Sequence, residues 1–430
     1  MVSYLVSNLN SQTPMLPADV AVQLPHGQLL GAPNALVKLS FSDWSSMARL
    51  KAGQIGALAE DYVEGKLRLE GTMRDIMGAV TRLLPGNPVD SDTHWWSHLL
   101  RRTKSLAAHT PGKDAAQVQF HYDVSDAFYA LWLDPRRVYS CAYYNDLSNT
   151  SATLASAQEA KLDLICRKLM LRPGERFLDI GCGWGALLLW AAEHYGVQAT
   201  GITLSKNQHQ HLQQLIAQKD LGHRVTVELR DYRDMTVGER LLPFEKIASV
   251  GMFEHVGHAN MTAYFSKIMT LLAPGGLVLN HGITAGGLEN QQLGAGMGDF
   301  IEKYIFPGGE LLHVSAMLAH MARAGLELVD AENLRPHYAR TLWDWSNALE
   351  DRLDEARRIL ALDSDAAQAE KTLRAYRLYL AGSAMSFEQG WLSLHQLLAT
   401  RPSGDVSSSP LKGAQSVYPF NRSYMYSPTA

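Results

Sequence analysis

Three cysteines in 430 residues, Cys141, Cys166 and Cys182, are too few for a disulfide framework and lack metal-ligand spacing. A reducing interior is the natural setting for such a chain. Long hydrophobic runs are missing too: no uninterrupted apolar stretch reaches the ~18 residues that a membrane-spanning helix needs. The opening Met-Val-Ser-Tyr-Leu-Val-Ser-Asn has neither a basic region nor an apolar core, so no signal peptide is expected. Positive charge is not in excess. The formal net charge is −4 and the sequence pI about 6.5, which leaves no global field to draw nucleic acid. A cytoplasmic protein that meets a membrane only at its surface is the expectation.

The chain is long enough for two domains with substantial cores. Residues 1–34, rich in Pro, Gly, Asn and Gln, read as an irregular lead-in. Residues 35–85 read as a small α/β module: 35–41 alternates like a strand, 42–49 begins a short helix, 55–63 and 67–69 follow, and 73–84 has helical spacing. No catalytic constellation falls there. Residues 95–104 set Trp95, Trp96, Leu99 and Leu100 beside Arg101, Arg102 and Lys104. That mixture suits an anionic lipid surface, and equally a packed interdomain helix with a solvated basic edge. With a linker over 107–116, the N-terminal domain spans 35–115 and a second domain 116–400.

In the second domain strands and helices alternate. Strands are expected at 176–180, 198–204, 224–229, 246–250 and 275–280, with helices from Ala157, Ala186, Asn207 and Ala259. That rhythm specifies an α/β fold with a doubly wound, mostly parallel sheet of Rossmann-like type. Its ligands lie beyond the C-terminal ends of the strands. Residues 286–309 interrupt the sheet with a Gly-rich insertion long enough to be a lid. Residues 342–400 read as almost wholly helical, and 401–430, rich in Ser, Pro and Gly, as a flexible tail.

The whole arrangement centres on Phe-Leu-Asp-Ile-Gly-Cys-Gly-Trp-Gly at 177–185. A strand, a tight turn at Gly181, Gly183 and Gly185, and a helix N-terminus together present backbone N–H groups to a nucleotide-like ligand. Gly181, Gly183 and Ala186 also satisfy the dinucleotide pattern. A dinucleotide site expects an acid at the end of the next strand, and here that strand ends Gly-Ile-Thr-Leu-Ser. Asp179 instead stands just before the glycines, where it can accept from the loop N–H groups or hold a ligand's ammonium. That suits the amino-acid portion of S-adenosylmethionine better than a pyrophosphate. The plain alternative is a glycine loop used only for helix–strand packing. Asp231-Tyr232-Arg233, after the third strand, falls near an adenine in such a sheet.

Glu254 and His281 stand at the ends of two neighbouring strands, at the ligand side of the sheet. The pair can orient a base or bind a small anion. His255 and His258 flank Glu254, and one of them can serve only to cap the next helix.

These blocks, in this order, resemble the cyclopropane fatty acid synthase and mycolic acid methyltransferase family. The resemblance runs from His121-Tyr122-Asp123-Val124-Ser125 to about Leu398. It takes in Tyr139-Ser140-Cys141-Ala142-Tyr143, Ala157-Gln158 with Lys161, 178–185, Asp231-Tyr232-Arg233-Asp234, 251–257, His281-Gly282-Ile283, Tyr304-Ile305-Phe306-Pro307 and Pro336-His337-Tyr338. It is strongest to the phospholipid-acting synthases, because the mycolic acid enzymes lack a comparable N-terminal module.

The resemblance implies a class I S-adenosylmethionine-dependent methyltransferase with a smaller N-terminal domain that presents lipid and helps pair subunits as a homodimer. It implies transfer of a methylene bridge to the cis double bond of an unsaturated phospholipid acyl chain at the membrane surface. It also implies a bound bicarbonate as base, held by the side chains of Glu254, His281 and Tyr338 and by backbone groups of Cys141 and Ile283. Cofactor contacts carried over are Tyr139, Ser140, Gly181, Gly183, Thr203, Leu204, Gln208, Tyr232 and Arg233. The cation formed on methyl addition needs a dry site, and the aromatic faces of Tyr304, Phe306 and Tyr338 suit it.

Other readings stay in view. Coclaurine N-methyltransferases resemble this family and also use a Glu near the fourth strand, although an amine acceptor needs no bicarbonate. Methyl-branched, methylene or methoxy lipid products differ only in how the same cation is quenched. A lipid-binding module with a vestigial cofactor site would have lost the glycines or the polar pair, and this chain keeps both. A dehydrogenase lacks its acid near Thr203.

Overall fold

The computed structural model describes residues 16–83, 125–146, 151–238, 241–288, 296–305, 310–407, 418–419 and 421–426. The expected basic aromatic helix at 95–104, and Phe306 of the insertion, lie outside these residues.

The N-terminal module is a four-stranded sheet in the order β2-β1-β3-β4, formed by Val20–Gln23, Leu29–Leu30, Val37–Phe41 and Leu67–Glu70 (β1 to β4). Val37, Leu39 and Phe41 of β3 are buried, while Lys38 and Ser40 between them are half-buried. That is the period-2 pattern of a sheet with one face on a core. Helices Trp44–Lys51 (α1), Ile55–Val63 (α2) and Met73–Leu83 (α3) pack against β3 and β4. The Asp43 carboxylate caps α1 by accepting the Ser46 N–H at 2.8 Å. The lead-in expected to be irregular over 1–34 therefore contains two strands. Val20-Ala-Val-Gln is too short to show a period by itself. It becomes a strand by pairing in parallel with β3, Val20 opposite Val37.

The second sheet has seven strands in the order β10-β11-β9-β8-β5-β6-β7. Arg176–Ile180 (β5), Gln198–Thr203 (β6), Val225–Leu229 (β7), Phe244–Val250 (β8) and Leu272–Ala285 (β9) run parallel. Helices Leu154–Lys168 (α5), Ala186–Tyr195 (α6) and Lys206–Gln218 (α7) bury one face. Met261–Leu271 (α8) and Val314–Arg323 (α10) bury the other. The sheet is doubly wound, as the alternation of elements requires.

Two strands depart from the expected pattern. Leu392–Thr400 (β11) lies antiparallel between β9 and Glu327–Asn333 (β10), where a helix was expected through residue 400. The run Leu397-Leu398-Ala399 hides the alternation. A strand paired on both edges and buried on both faces needs no alternation.

Helices Arg335–Glu350 (α11), Leu353–Asp363 (α12) and Ala366–Glu388 (α13) do match the helical expectation. Together with the short Asp126–Tyr129 (α4) they share one hydrophobic core with the N-terminal module. Met297–Tyr304 (α9), the helix of the Gly-rich insertion, packs on α2. The two backbones cross so closely that a Cβ on Gly56 would stand 1.9 Å from the Gly296 carbonyl oxygen.

The C-terminal stretch, expected to be flexible over 401–430, is anchored where it is described. Met425 of Ser423–Tyr426 (α14) is fully buried against α5. Arg422 Nη2 donates to the Val329 carbonyl of β10 at 2.6 Å, and Tyr418 to Glu327 at 3.0 Å. Low-complexity composition concealed these few anchors.

Candidate active site

Two adjoining cavities open at the C-terminal ends of the parallel strands. The first, of about 170 Å³, lies over the glycine turn. Gly183 has φ +53, and a Cβ built there meets no protein atom within 4 Å. The turn thus keeps its bare backbone toward the cavity, as close ligand approach requires. Gly185 answers a different need: at φ +87, a Cβ would sit 2.3 Å from Leu212.

Every residue expected to contact the cofactor borders this cavity: Tyr139, Ser140, Asp179, Gly181, Gly183, Thr203, Leu204, Gln208, Tyr232 and Arg233. The loop N–H groups of Gly181 and Cys182 donate to the Ile202 carbonyl at 3.0 Å, not to Asp179. Those two N–H groups are therefore not partners of the Asp179 carboxylate, which borders the cavity. Burial pushes its carboxyl up to about 7, partly offset by Lys161. Thr203 Oγ1 donates to Gln208 Oε1 at 2.9 Å, leaving the Gln208 amide hydrogens for a ligand. Asp231 holds Arg233 through Nε at 2.9 Å and Nη2 at 2.5 Å, beside Tyr232.

The second cavity, of about 280 Å³, is predominantly apolar and shares Tyr139, Ser140, Gly251 and His255 with the first. Glu254, His281, Tyr338, Cys141 and Ile283 all border it. From them it runs between α11, α13 and α9 into the N-terminal module, where Leu39, Phe41, Leu58, Ile76 and Met77 continue its wall.

Glu254 stands on a single 3₁₀ turn after β8. Its Oε1 accepts the Ile283 N–H at 2.7 Å, while Oε2 is buried with no partner. Burial pushes the carboxyl up to about 7. Gly282 lets this turn approach β9, since a Cβ there would strike the Phe253 ring at 2.2 Å. His281 is 1 % exposed. Its Nδ1 meets the Gln396 amide nitrogen at 3.2 Å, and Nε2 has no partner. Burial holds the imidazole well below its ordinary pKa, so it is neutral.

Tyr338 presents its ring between Phe387 at 4.7 Å and Trp345 at 6.1 Å between centroids. The Tyr139 ring, at the junction of the cavities, touches Tyr129, Trp132 and Trp345, each at 5.4 Å. Burial raises the Cys141 thiol far above its ordinary range, so it is not a thiolate nucleophile.

Two expectations change. The Ile283 N–H, one of its backbone groups expected at the anion, is engaged by Glu254 Oε1. Tyr304 does not border the cavity; its ring lies on Phe300, which does.

Some polar residues at the site are given no role by the sequence. Lys161 lines the cofactor cavity, donates to Ser140 Oγ at 3.0 Å, and is lowered by burial to about 8. Gln158 donates to the Ser140 carbonyl at 2.8 Å, fixing the irregular Tyr139-Ser140-Cys141 segment. Lys168 and Gln396 stand behind His281. The Ala157-Gln158 and Lys161 block carried the only signal for the first two. Gln396 had none, because its strand was read as helix.

Comparison with known proteins identifies the family and the fold. Residues 109–397 match the mycolic acid cyclopropane synthetase family. A probable fatty acid methyltransferase of Pseudomonas putida is 42 % identical over 373 residues, covering 87 % of this chain and 89 % of that protein. That is more residues than the chain holds from 116 onward, so the likeness extends into the N-terminal module. A solved mycolic acid cyclopropane synthase, in complex with SAH and CTAB, is 37 % identical with a TM-score of 0.59. The match covers 66 % of this chain and 98 % of that one. A coclaurine N-methyltransferase shares the fold alone, at 20 % identity and a TM-score of 0.62 over 82 % of this chain and 99 % of that one. The chain belongs to the mycolic acid cyclopropane synthetase family, and is an S-adenosylmethionine-dependent methyltransferase of the class I, Rossmann-like fold.

Proposed function

We propose that this methyltransferase converts the cis double bond of unsaturated phospholipid acyl chains into a cyclopropane ring, working at the membrane surface from the cytoplasmic side. One observation carries the reading. A long apolar cavity enters from the N-terminal module and ends at two buried polar atoms, Glu254 Oε2 and His281 Nε2, next to the cofactor cavity. An acyl chain fits the apolar length, and its double bond reaches the junction at Tyr139.

An alkene is a weak nucleophile, so holding the sulfonium methyl close to it and in line is the main task. The glycine turn, Gln208 and Tyr232 fix the donor, and the apolar walls fix the chain. The alkene's π electrons bond the methyl carbon as its bond to sulfur breaks, leaving positive charge on the chain. Dry aromatic walls, Tyr338 and Tyr139 foremost, stabilise that charge and exclude water. One proton must then leave the new methyl so that the ring closes.

Bicarbonate fits the two orphaned atoms. An unpartnered buried polar atom is worth about 1–3 kcal/mol of lost hydrogen bonding, and a small oxyanion that reached both atoms would supply their partners. When bound there it supplies the base for the departing proton. Glu254 and His281 hold it, Ile283 orients Glu254, and Cys141 contributes backbone rather than thiol. No helix among the described residues is long and apolar enough to cross a membrane, which suits access from the surface.

The test is to give purified protein trideuteromethyl-labelled S-adenosylmethionine together with vesicles of monounsaturated phospholipid. Labelled ring methylene in the phospholipid acyl chains supports the proposal. An intact trideuteromethyl branch would replace it with a branched-chain reaction. Label found only when free fatty acid is supplied would move the substrate away from phospholipid.

A further inference from the structure

β9, β11 and β10 lie side by side, and their register sets His281 opposite Gln396 and Gln396 opposite Glu332. Cross-strand partners share a face, so three polar residues form a row across the sheet. Lys168, the last residue of α5, closes the row. Its Nζ donates to Gln396 Oε1 at 2.8 Å and pairs with Glu332 Oε2. His281, Gln396 and Lys168 are each 1 % exposed or less.

The chemistry of each group fixes its neighbour. Paired with Glu332, Lys168 is an ammonium, which has only hydrogens to offer. The Gln396 atom facing it must therefore be the oxygen, and the amide orientation is set. Gln396 Nε2 is then the atom facing His281 Nδ1, and an amide NH₂ also only donates. Nδ1 must present its lone pair, so the imidazole proton sits on Nε2, the atom at the cavity without a partner.

We propose that Gln396, anchored by Lys168 and Glu332, is a positioning residue that holds His281 in its Nε2–H form, making it an obligate hydrogen-bond donor into the reaction cavity. The row explains why a lysine and a glutamine are buried so far from solvent. It also gives the two orphaned atoms opposite characters: His281 Nε2–H donates, and Glu254 Oε2 accepts once ionised. A guest offering one acceptor and one hydroxyl matches both. Bicarbonate is such a guest, so the inference rests in part on the function proposed above. The charged groups around the ring, Lys161 and Lys168, disfavour an imidazolium, in keeping with its neutrality.

The test begins on the unaltered, ligand-free protein labelled with ¹⁵N-histidine, with the His281 signals assigned by their loss in His281→Asn. A protonated Nε2 and an unprotonated Nδ1, unchanged across the range where the protein stays folded, is the expected result. A protonated Nδ1 would overturn the proposal. This readout needs no lipid, so its failure is separable from failure of the cyclopropane reading.

Two variants extend it. Gln396→Leu removes the donor and should lower kcat by about 10- to 100-fold, by analogy with the loss when the orienting partner of a metal-bound histidine goes, with cofactor affinity unchanged. Gln396→Glu keeps the size and the Lys168 contact but accepts from the ring. It should show both ring nitrogens protonated and recover most of the activity lost in Gln396→Leu, because Nε2–H survives. Equal turnover in wild type and Gln396→Leu would also overturn the assignment.

Discussion

Glu254 makes one hydrogen bond with Oε1 and leaves Oε2 buried without a partner beside a mostly apolar cavity. Its carboxyl is raised to about 7 from an ordinary value of 4.5, chiefly by burial. If the ionised form holds the departing proton's acceptor, turnover should climb through about pH 7. Glu254→Gln keeps the Ile283 contact and removes the charge. It should lose on the order of 10²–10⁴ in kcat, the span of general acid–base effects, while calorimetry shows cofactor affinity within about twofold of wild type. Unchanged turnover would remove Glu254 from the chemistry.

The same group bears on stability with a definite sign. Its folded pKa is raised, so the folded state binds the proton more tightly, and stability falls as pH rises from 4.5 through about 7. Glu254→Gln should therefore raise the melting temperature relative to wild type more at pH about 8 than at pH about 5. Asp179, also raised to about 7, leaves a residual dependence of the same sign. At this scale the sequence was informative where a strand end met the ligand side of the sheet, as with Glu254 and His281. It pointed to Lys161 only through the resemblance and was silent on Lys168 and Gln396. Their importance depends on which buried neighbour each one meets, and that is a property of three dimensions.

At the scale of elements, glycines decide how closely backbone can approach backbone or ligand. The strand–turn–helix unit around Gly183 was plain in the sequence, because strand pattern, glycines and helix start occupy adjacent residues. Gly183→Val would put a branched side chain at φ +53 into the space left for the donor. Cofactor affinity should fall by at least about tenfold, since positive φ is itself unfavourable for a β-branched residue. Titration calorimetry reads this directly, and retained affinity would mean that the turn does not cradle the ligand.

The crossing of α2 and α9 at Gly56 and Gly296 was not legible, because the two glycines are 240 residues apart and neither sits in a motif. Gly56→Ala should force α9 outward, at a typical overpacking penalty of about 1–3 kcal/mol. Phe300 and Ile301 of α9 line the apolar cavity. The variant should therefore raise KM for lipid while leaving cofactor affinity intact. The misread β11 teaches a related point. A strand covered on both faces loses the alternation that would announce it, so the sheet's antiparallel edge emerges only from its pairing with β9 and β10.

For the molecule as a whole, the two modules are joined by a shared interior. The sequence separated them by composition, and placed the parallel strands and the glycine turn correctly. It gave no sign that α11, α13 and the N-terminal sheet build one hydrophobic core around a single cavity. That residues as far apart in the chain as Leu39 and Tyr379 border one cavity is invisible to local periodicity. The N-terminal module forms much of the far wall of that cavity, so under the proposed function substrate length becomes a property of the assembled chain. Gly382 offers a way to test this. It lies in α13, borders the apolar cavity, and a Cβ added there meets no atom within 4 Å. Gly382→Leu has room for its Cβ and should fill part of the cavity, and should gain about 0.8 kcal/mol of helix propensity. The expected variant melts no lower than wild type and binds S-adenosylmethionine equally well. It should convert long monounsaturated chains at least about tenfold more slowly, with shorter chains affected less. The measurement is product formation on vesicles differing only in acyl length. An equal rate at every length would show that the chain does not run past Gly382, and that the apolar cavity holds something other than the acyl tail.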